Sequence, residues 1–147
     1  MKVVIQRSKN SSVSVDNKIV NKIEHGLVVL VGITDNDTDE DIDYLVKKIV
    51  NLRIFDDENG IMNKSILDKN GSILLISQFT LMADTSKGNR PSYFKALNGE
   101  KAKPIYENML AKLNNFVPTF PGVFGAEMLV NINNDGPVTI IIDSKNK

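Results

Sequence analysis

The chain has no cysteine, no tryptophan and a single histidine in 147 residues. Without cysteine it can form no disulfide, no thiolate nucleophile and no Cys-ligated metal centre, and one His25 leaves a side-chain triad with a single candidate base. A dominant charge is missing too. The 18 Lys and Arg residues balance 18 Asp and Glu, so no global field draws the chain to nucleic acid, and any such contact must come from a local cluster. Long hydrophobic runs are also absent: none approaches the ~20 residues of a membrane span, and Met1-Lys2-Val3-Val4-Ile5 is too short for a signal-peptide core. These absences predict a soluble, cytoplasmic protein. The length suits one domain, 1–147, able to bury about 70% of its unfolded surface in one core.

What is present reads mainly as strands. Val3, Val4 and Ile5 open one, and Val13, Val15, Ile19 and Ile23 continue the apolar spacing on either side of an Asp16-Asn17 hairpin turn. Gly26-Leu27-Val28-Val29-Leu30-Val31-Gly32-Ile33 has the continuous apolar character of a strand covered on both faces, with His25 in a turn just before it. Residues 35–43 are acidic but lack the glycine and terminal glutamate of an EF-hand loop. They read instead as a helix start capped by Asp37 or Thr38, followed by Ile42, Leu45, Val46 and Ile49 along one apolar face.

A second doubly apolar strand spans 72–81, its polar residues beginning only at Ser77. A short helix is predicted over 91–97, and a longer one carrying Ile105, Met109, Leu110 and Leu113 starts or kinks near Pro104. Residues 123–130 read as a strand entered through glycine. The last strand, 138–142, follows Asn134-Asp135-Gly136-Pro137-Val138-Thr139, where a Gly-Pro step stands directly before a β-branched run. That step is either ordinary trans turn punctuation or a rigid cis turn whose carbonyls face a ligand.

With few side-chain bases, the backbone is the stronger chemical candidate. Along an extended strand the N–H groups of Ser77 and Phe79 point the same way and would give a developing oxyanion two donors. The Ser77 and Thr80 hydroxyls fall on opposite faces, and Thr80 lacks an adjacent base that would activate it as a nucleophile. Phe79, Phe124 and Met128 suit either the core or a pocket for a flat ring. Within 87–103, five cations (Lys87, Arg90, Lys95, Lys101, Lys103) face only Glu100, which is a solvated loop or a local nucleic-acid contact.

Four ordered motifs resemble D-aminoacyl-tRNA deacylases: Ser77-Gln78-Phe79-Thr80-Leu81, Lys87-Gly88-Asn89-Arg90-Pro91-Ser92, Phe124-Gly125-Ala126-Glu127-Met128 and Asn134-Asp135-Gly136-Pro137-Val138-Thr139. Gln6-Arg7 and Asn51-Leu52-Arg53-Ile54-Phe55 extend the likeness almost end to end. The resemblance implies a homodimeric α/β enzyme of the three-layer ββα type, with mixed β-sheets and helices packed on one side, needing no cofactor or metal. It would hydrolyse the ester joining a D-amino acid, or glycine mischarged on tRNA-Ala, to the 3′-terminal adenosine of tRNA. A cis Gly136-Pro137 pair would reach into the partner subunit's site and exclude L side chains. Ser77 and Phe79 would supply oxyanion amides, Gln78 and Thr80 the strand-end support, and Phe124 and Met128 the border of an adenine pocket. Arg7 would brace the Gly-Pro loop, and the substrate's own 2′-hydroxyl would assist the chemistry. Three other readings stay open: a synthetase-type editing domain for L-amino acids, a non-catalytic tRNA-binding module, and an esterase with a Thr80 nucleophile.

Overall fold

A computed structural model describes residues 1–147. Two long strands, β1 (Lys2–Val15) and β2 (Lys18–Gly32), form an antiparallel hairpin joined through Asp16 and Asn17. Both turn residues have positive φ, 51° and 63°, the left-handed geometry that Asp and Asn tolerate and that matches the twist of the flanking strands. After β2 come helix α1 (Asp39–Asn51), the two-stranded ribbon β3 (Phe55–Asp56) with β4 (Met62–Lys64), a one-turn helix α2 (Ile66–Lys69), and β5 (Ser72–Ser77). A 3₁₀ turn (Phe79–Met82), helix α3 (Gly99–Asn114), β6 (Thr119–Pro121), β7 (Leu129–Asn131) and β8 (Asn134–Asp143) complete the chain. The result is a single-domain α/β fold with one mixed sheet and few helices.

The sheet order is β6-β5-β2-β1-β7, with β8 sharing the outer edge of β1. The β2–β5 and β5–β6 pairs are parallel and the rest antiparallel. Parallel pairing buries both faces of β2 and β5, which is why their runs are continuously apolar rather than alternating. Val29, Val31, Ile73 and Leu75 join Ile42, Leu45 and Ile49 of α1 and Tyr106, Met109 and Leu113 of α3 in the main core. Val28, Leu74 and Ile76 belong to a second, smaller cluster with Val13 and Ile23, against which Met128 and Val130 pack.

His25 lies not in a turn but inside β2, in register with Lys9. The glycine after it marks a close approach of strands instead. A Cβ on Gly26 would sit 1.8 Å from the Ser72 carbonyl oxygen, and its φ of 144° disfavours any L side chain. Gly26→Ala is therefore expected to destabilise the protein by about 3 kcal/mol, the upper part of the usual overpacking range, read as a lower urea midpoint with unchanged slope.

Four further expectations need correction. The strand predicted over 72–81 stops at Ser77 because its neighbours stop: β2 ends at Gly32 and β6 at Pro121. With no ladder beyond that point the chain turns, Leu81 N–H bonding the Gln78 carbonyl and Ala83 N–H that of Thr80. Residues 91–97 form a turn held by Ala96 N–H on the Tyr93 carbonyl, not a helix. Residues 123–130 turn at Phe124 and Gly125 before only three residues pair as β7. Pro104 lies within α3 rather than at its start. It forfeits the bond to the Glu100 carbonyl, but both residues are exposed and water can take that acceptor.

Thr38 caps α1, and Asp41 completes a capping box by accepting from the Thr38 N–H at 2.8 Å. Burial alone would raise the Asp41 pKa, but hydrogen bonds from Lys145, Ser144 and Thr38 overcome it and hold the carboxyl well below the usual carboxylate range. A carboxylate whose folded pKa is depressed stabilises the fold above its unfolded pKa, about 3.9, and loses that contribution as pH falls toward the folded value. Thermal unfolding of wild type should thus fall more steeply between pH 4 and pH 2 than that of Asp41→Asn, which should start lower at pH 7. Parallel curves would remove Asp41 from the acid response.

Candidate active site

Where β5 runs out of neighbours, a cavity of about 580 Å³ opens beyond its carboxyl end. Val31 at the end of β2 and Ile33 just beyond it, Ile76, Ser77, Gln78 and Phe79, and the turn at Phe124, Gly125 and Ala126 line it. Met128, Tyr93, Leu97 and Ala102 close its sides. An apolar cavity with a few polar groups at a strand end is the usual form of a small-molecule site in an α/β protein. Ser77, Gln78, Phe79, Phe124 and Met128, widely separated in sequence, thus meet on one cavity.

The backbone there carries free donors. Gln78 N–H bonds the Val31 carbonyl at 2.8 Å, so by alternation the Ser77 N–H points the other way, past the end of β6. The Phe79 N–H has no hydrogen-bond acceptor in the chain. Thr80 is not among the lining residues; Gln78 Nε2 donates to its hydroxyl, and no basic side chain hydrogen-bonds it. A Thr80 nucleophile therefore lacks the partner that would activate it. His25 lies six β2 residues before Val31, about 20 Å along the strand, and takes no part in this cavity.

Two supports of the cavity were not legible in the sequence. The Tyr106 hydroxyl donates to the Leu75 carbonyl at 2.7 Å, and its ring packs against Phe124 at 5.5 Å between centroids. Burial pushes the Tyr106 phenol up to about 12, so it remains a donor at any physiological pH. Tyr93 meets Phe79 edge-on at 5.1 Å.

Gly136 and Pro137 lie elsewhere. They sit on exposed β8, across β2 and β1 from β5, three strand spacings or about 14 Å over the sheet. Their peptide bond is cis, and Gly136 has φ of 116°. A Cβ there would come within 2.8 Å of the Val138 backbone nitrogen. Around the pair is a brace. Arg7, 9% exposed, donates through Nη1 to the Ile54 carbonyl at 2.8 Å. Its Nε stands 3.1 Å from Asp135 Oδ2 as an ion pair, without hydrogen-bond geometry. Asn134 Nδ2 donates to the Val138 carbonyl at 2.9 Å, and Thr139 Oγ1 donates to Asn134 Oδ1 at 3.1 Å. Asn134, Asp135 and Thr139 thus hold the loop that the Gly-Pro pair shapes.

Comparison with known families matches residues 4–143 to the D-Tyr-tRNA(Tyr) deacylase model. The chain belongs to this deacylase family. A D-aminoacyl-tRNA deacylase of Flavobacterium psychrophilum is 56% identical over 149 residues, covering 100% of this chain and 99% of the relative. One of Bacteroides fragilis is 57% identical over 151 residues, covering 100% and 99%. Among solved structures, a c-Myc DNA unwinding element binding protein superposes with a TM-score of 0.93 at 42% identity, covering 97% of this chain and 98% of that one. A probable eukaryotic D-amino acid tRNA deacylase shares the fold, with a TM-score of 0.80 at 17% identity over 96% of this deacylase-family chain and 97% of its own.

Proposed function

We propose that the chain is a D-aminoacyl-tRNA deacylase, hydrolysing the ester between a D-amino acid and the 3′-terminal adenosine of tRNA to clear mischarged tRNA for translation. The observation that carries this reading is the cavity at the end of β5, which joins the unpaired Phe79 N–H and the outward Ser77 N–H to the Phe124 and Met128 side chains. In the reaction, water adds to the ester carbonyl and the carbonyl oxygen becomes an oxyanion held by the two amides. Collapse expels the ribose oxygen, which takes up a proton, and releases free amino acid and tRNA. Gln78 and Thr80 hold the strand end through their mutual hydrogen bond. Phe124 and Met128 border the adenine. The neighbouring 2′-hydroxyl of the substrate assists, and an activated ester needs little more than this orientation.

Chirality is screened by backbone. Gly136 and Pro137 stand outside the cavity of their own chain, and we assign them to the site of a second copy, in a homodimer whose stacked sheets complete the ββα layering. There the Gly-Pro carbonyls hold the substrate amino group and leave no space for an L side chain. Rejection by clash demands no affinity for any particular D side chain, so one site serves many D-amino acids and admits glycine on tRNA-Ala. Arg7 and Asp135 hold the screen in place.

The test is release from matched D- and L-aminoacyl-tRNA by the purified protein. The D form is expected to turn over and the L form to persist. Preferential release of the L form would favour a synthetase-type editing domain, and binding without turnover a tRNA-binding module.

A further inference from the structure

We propose that the exposed rim 87–103 is the platform that carries the unpaired 3′ strand of tRNA into the cavity, with Lys87, Arg90, Lys101 and Lys103 on its phosphates and Phe94 under a base. This rests on the aminoacyl-tRNA reading above and adds the surface by which that substrate is held.

The rim lies at the cavity mouth. Tyr93, Ala96, Leu97, Gly99 and Ala102 line the cavity from the inside, while the cations between and beside them are exposed. Only Lys95 is neutralised locally, by Asp84 at 3.6 Å. Lys87, Arg90, Lys101 and Lys103 have no carboxylate within ion-pair distance. Because the whole chain is neutral, a rim with five cations against Glu100 leaves the remainder net acidic. Such a separation turns a polyanion toward one face.

The aromatic component sits on the same wall. Tyr93 and Ala96 face the first cavity, whereas Phe94 and Lys95 line a second one of about 430 Å³ whose charges are mixed, Lys2 and Lys145 standing with Asp35 and Asp143. Phe94 is 75% exposed, with Lys95 Nζ 5.7 Å from its ring centroid. Because Tyr93 lines the first cavity and Phe94 the second, a strand leaving the first on this side runs along the wall. Cations tracking the backbone with an exposed aromatic ring under a base is the arrangement by which proteins hold single-stranded RNA.

The experiment compares two substrates of the same chemistry, D-aminoacyl-tRNA and 3′-D-aminoacyl-adenosine, which lacks the upstream strand. For Lys87→Gln/Arg90→Gln/Lys101→Gln/Lys103→Gln, KM for the tRNA substrate is expected to rise at least about tenfold at physiological salt, with kcat and the adenosine ester unaffected. The slope of log affinity against log salt for uncharged tRNA should fall by about 3, four single-strand phosphate contacts at ~0.7 each. Phe94→Ala should raise KM for tRNA about tenfold and leave the adenosine ester unchanged. Lys18→Gln/Lys22→Gln, two exposed lysines of the β1–β2 hairpin, should match wild type. An unchanged salt slope and KM would overturn the proposal, as would equal losses on both substrates. If wild type hydrolyses neither substrate, the deacylase reading fails, and the uncharged-tRNA slope still decides whether the rim binds RNA.

Discussion

Gly136→Ala is expected to lower kcat/KM for D-aminoacyl-tRNA by about 10²-fold while the protein stays folded. The alanine Cβ would come within 2.8 Å of both the Val138 nitrogen and Val138 Cγ2, at a φ of 116° that L residues rarely adopt. The loop must shift to relieve this, and a displacement of about 1 Å in a positioning element costs on the order of 10²-fold in rate. Gly136 itself is exposed, although Val138 packs against the main core, and the contact of 2.8 Å is less severe than the 1.8 Å approach at Gly26, so the unfolding midpoint should fall less than for Gly26→Ala. His25→Ala is expected to leave activity unchanged. A folded, inert His25→Ala protein, or a fully active Gly136→Ala protein, would reverse the assignment of the machinery.

The second large effect concerns the backbone itself. Replacing the Phe79 peptide N–H with an ester oxygen, by incorporating the α-hydroxy analogue of phenylalanine, keeps the side chain and removes one donor. If that N–H holds the oxyanion, kcat should fall by about 10² to 10³, the usual cost of one oxyanion-hole donor. The exchange removes no hydrogen bond donated within the chain, since the Phe79 N–H has no acceptor there, and it only weakens the Gln78 carbonyl as acceptor of the Leu81 N–H. Thr80→Ala, by contrast, removes only the hydroxyl bonded to Gln78 and should keep measurable turnover. Complete loss in a folded Thr80→Ala protein, with an indifferent ester at Phe79, would favour a threonine nucleophile.

The sequence is legible where the physics is local. The Asp16-Asn17 turn and the Thr38-capped α1 with its Ile42, Leu45, Val46 and Ile49 face needed only turn chemistry and periodicity. The end of β5 was not legible, because nothing within residues 72–81 says that β2 stops at Gly32 and β6 at Pro121. That same loss of partners leaves the Phe79 N–H without an acceptor, so the feature hardest to read locally is the one that opens the cavity. The turn at Phe124 and Gly125 escaped for a related reason: its apolar residues face a cavity rather than a sheet. His25 reads as a turn residue because Gly26 looks like turn punctuation in sequence, when that glycine lets β2 approach the Ser72 carbonyl. The braces of the Gly-Pro loop join residues far apart in the chain, as Arg7 does to Asp135 and to the Ile54 carbonyl, and long-range contacts of this kind leave no mark on local pattern.

Mixed subunits test most directly the claim that one chain's Gly-Pro backbone screens substrate at another chain's oxyanion site. Gly136→Ala protein and protein with the Phe79 ester are each expected to be nearly inactive on D-aminoacyl-tRNA. Unfolded and refolded together, they should form heterodimers in which one site unites an intact Phe79 amide with an intact Gly136, and activity should return to about half the wild-type value per heterodimer. Mixtures that stay as inactive as the separate variants would contradict the account.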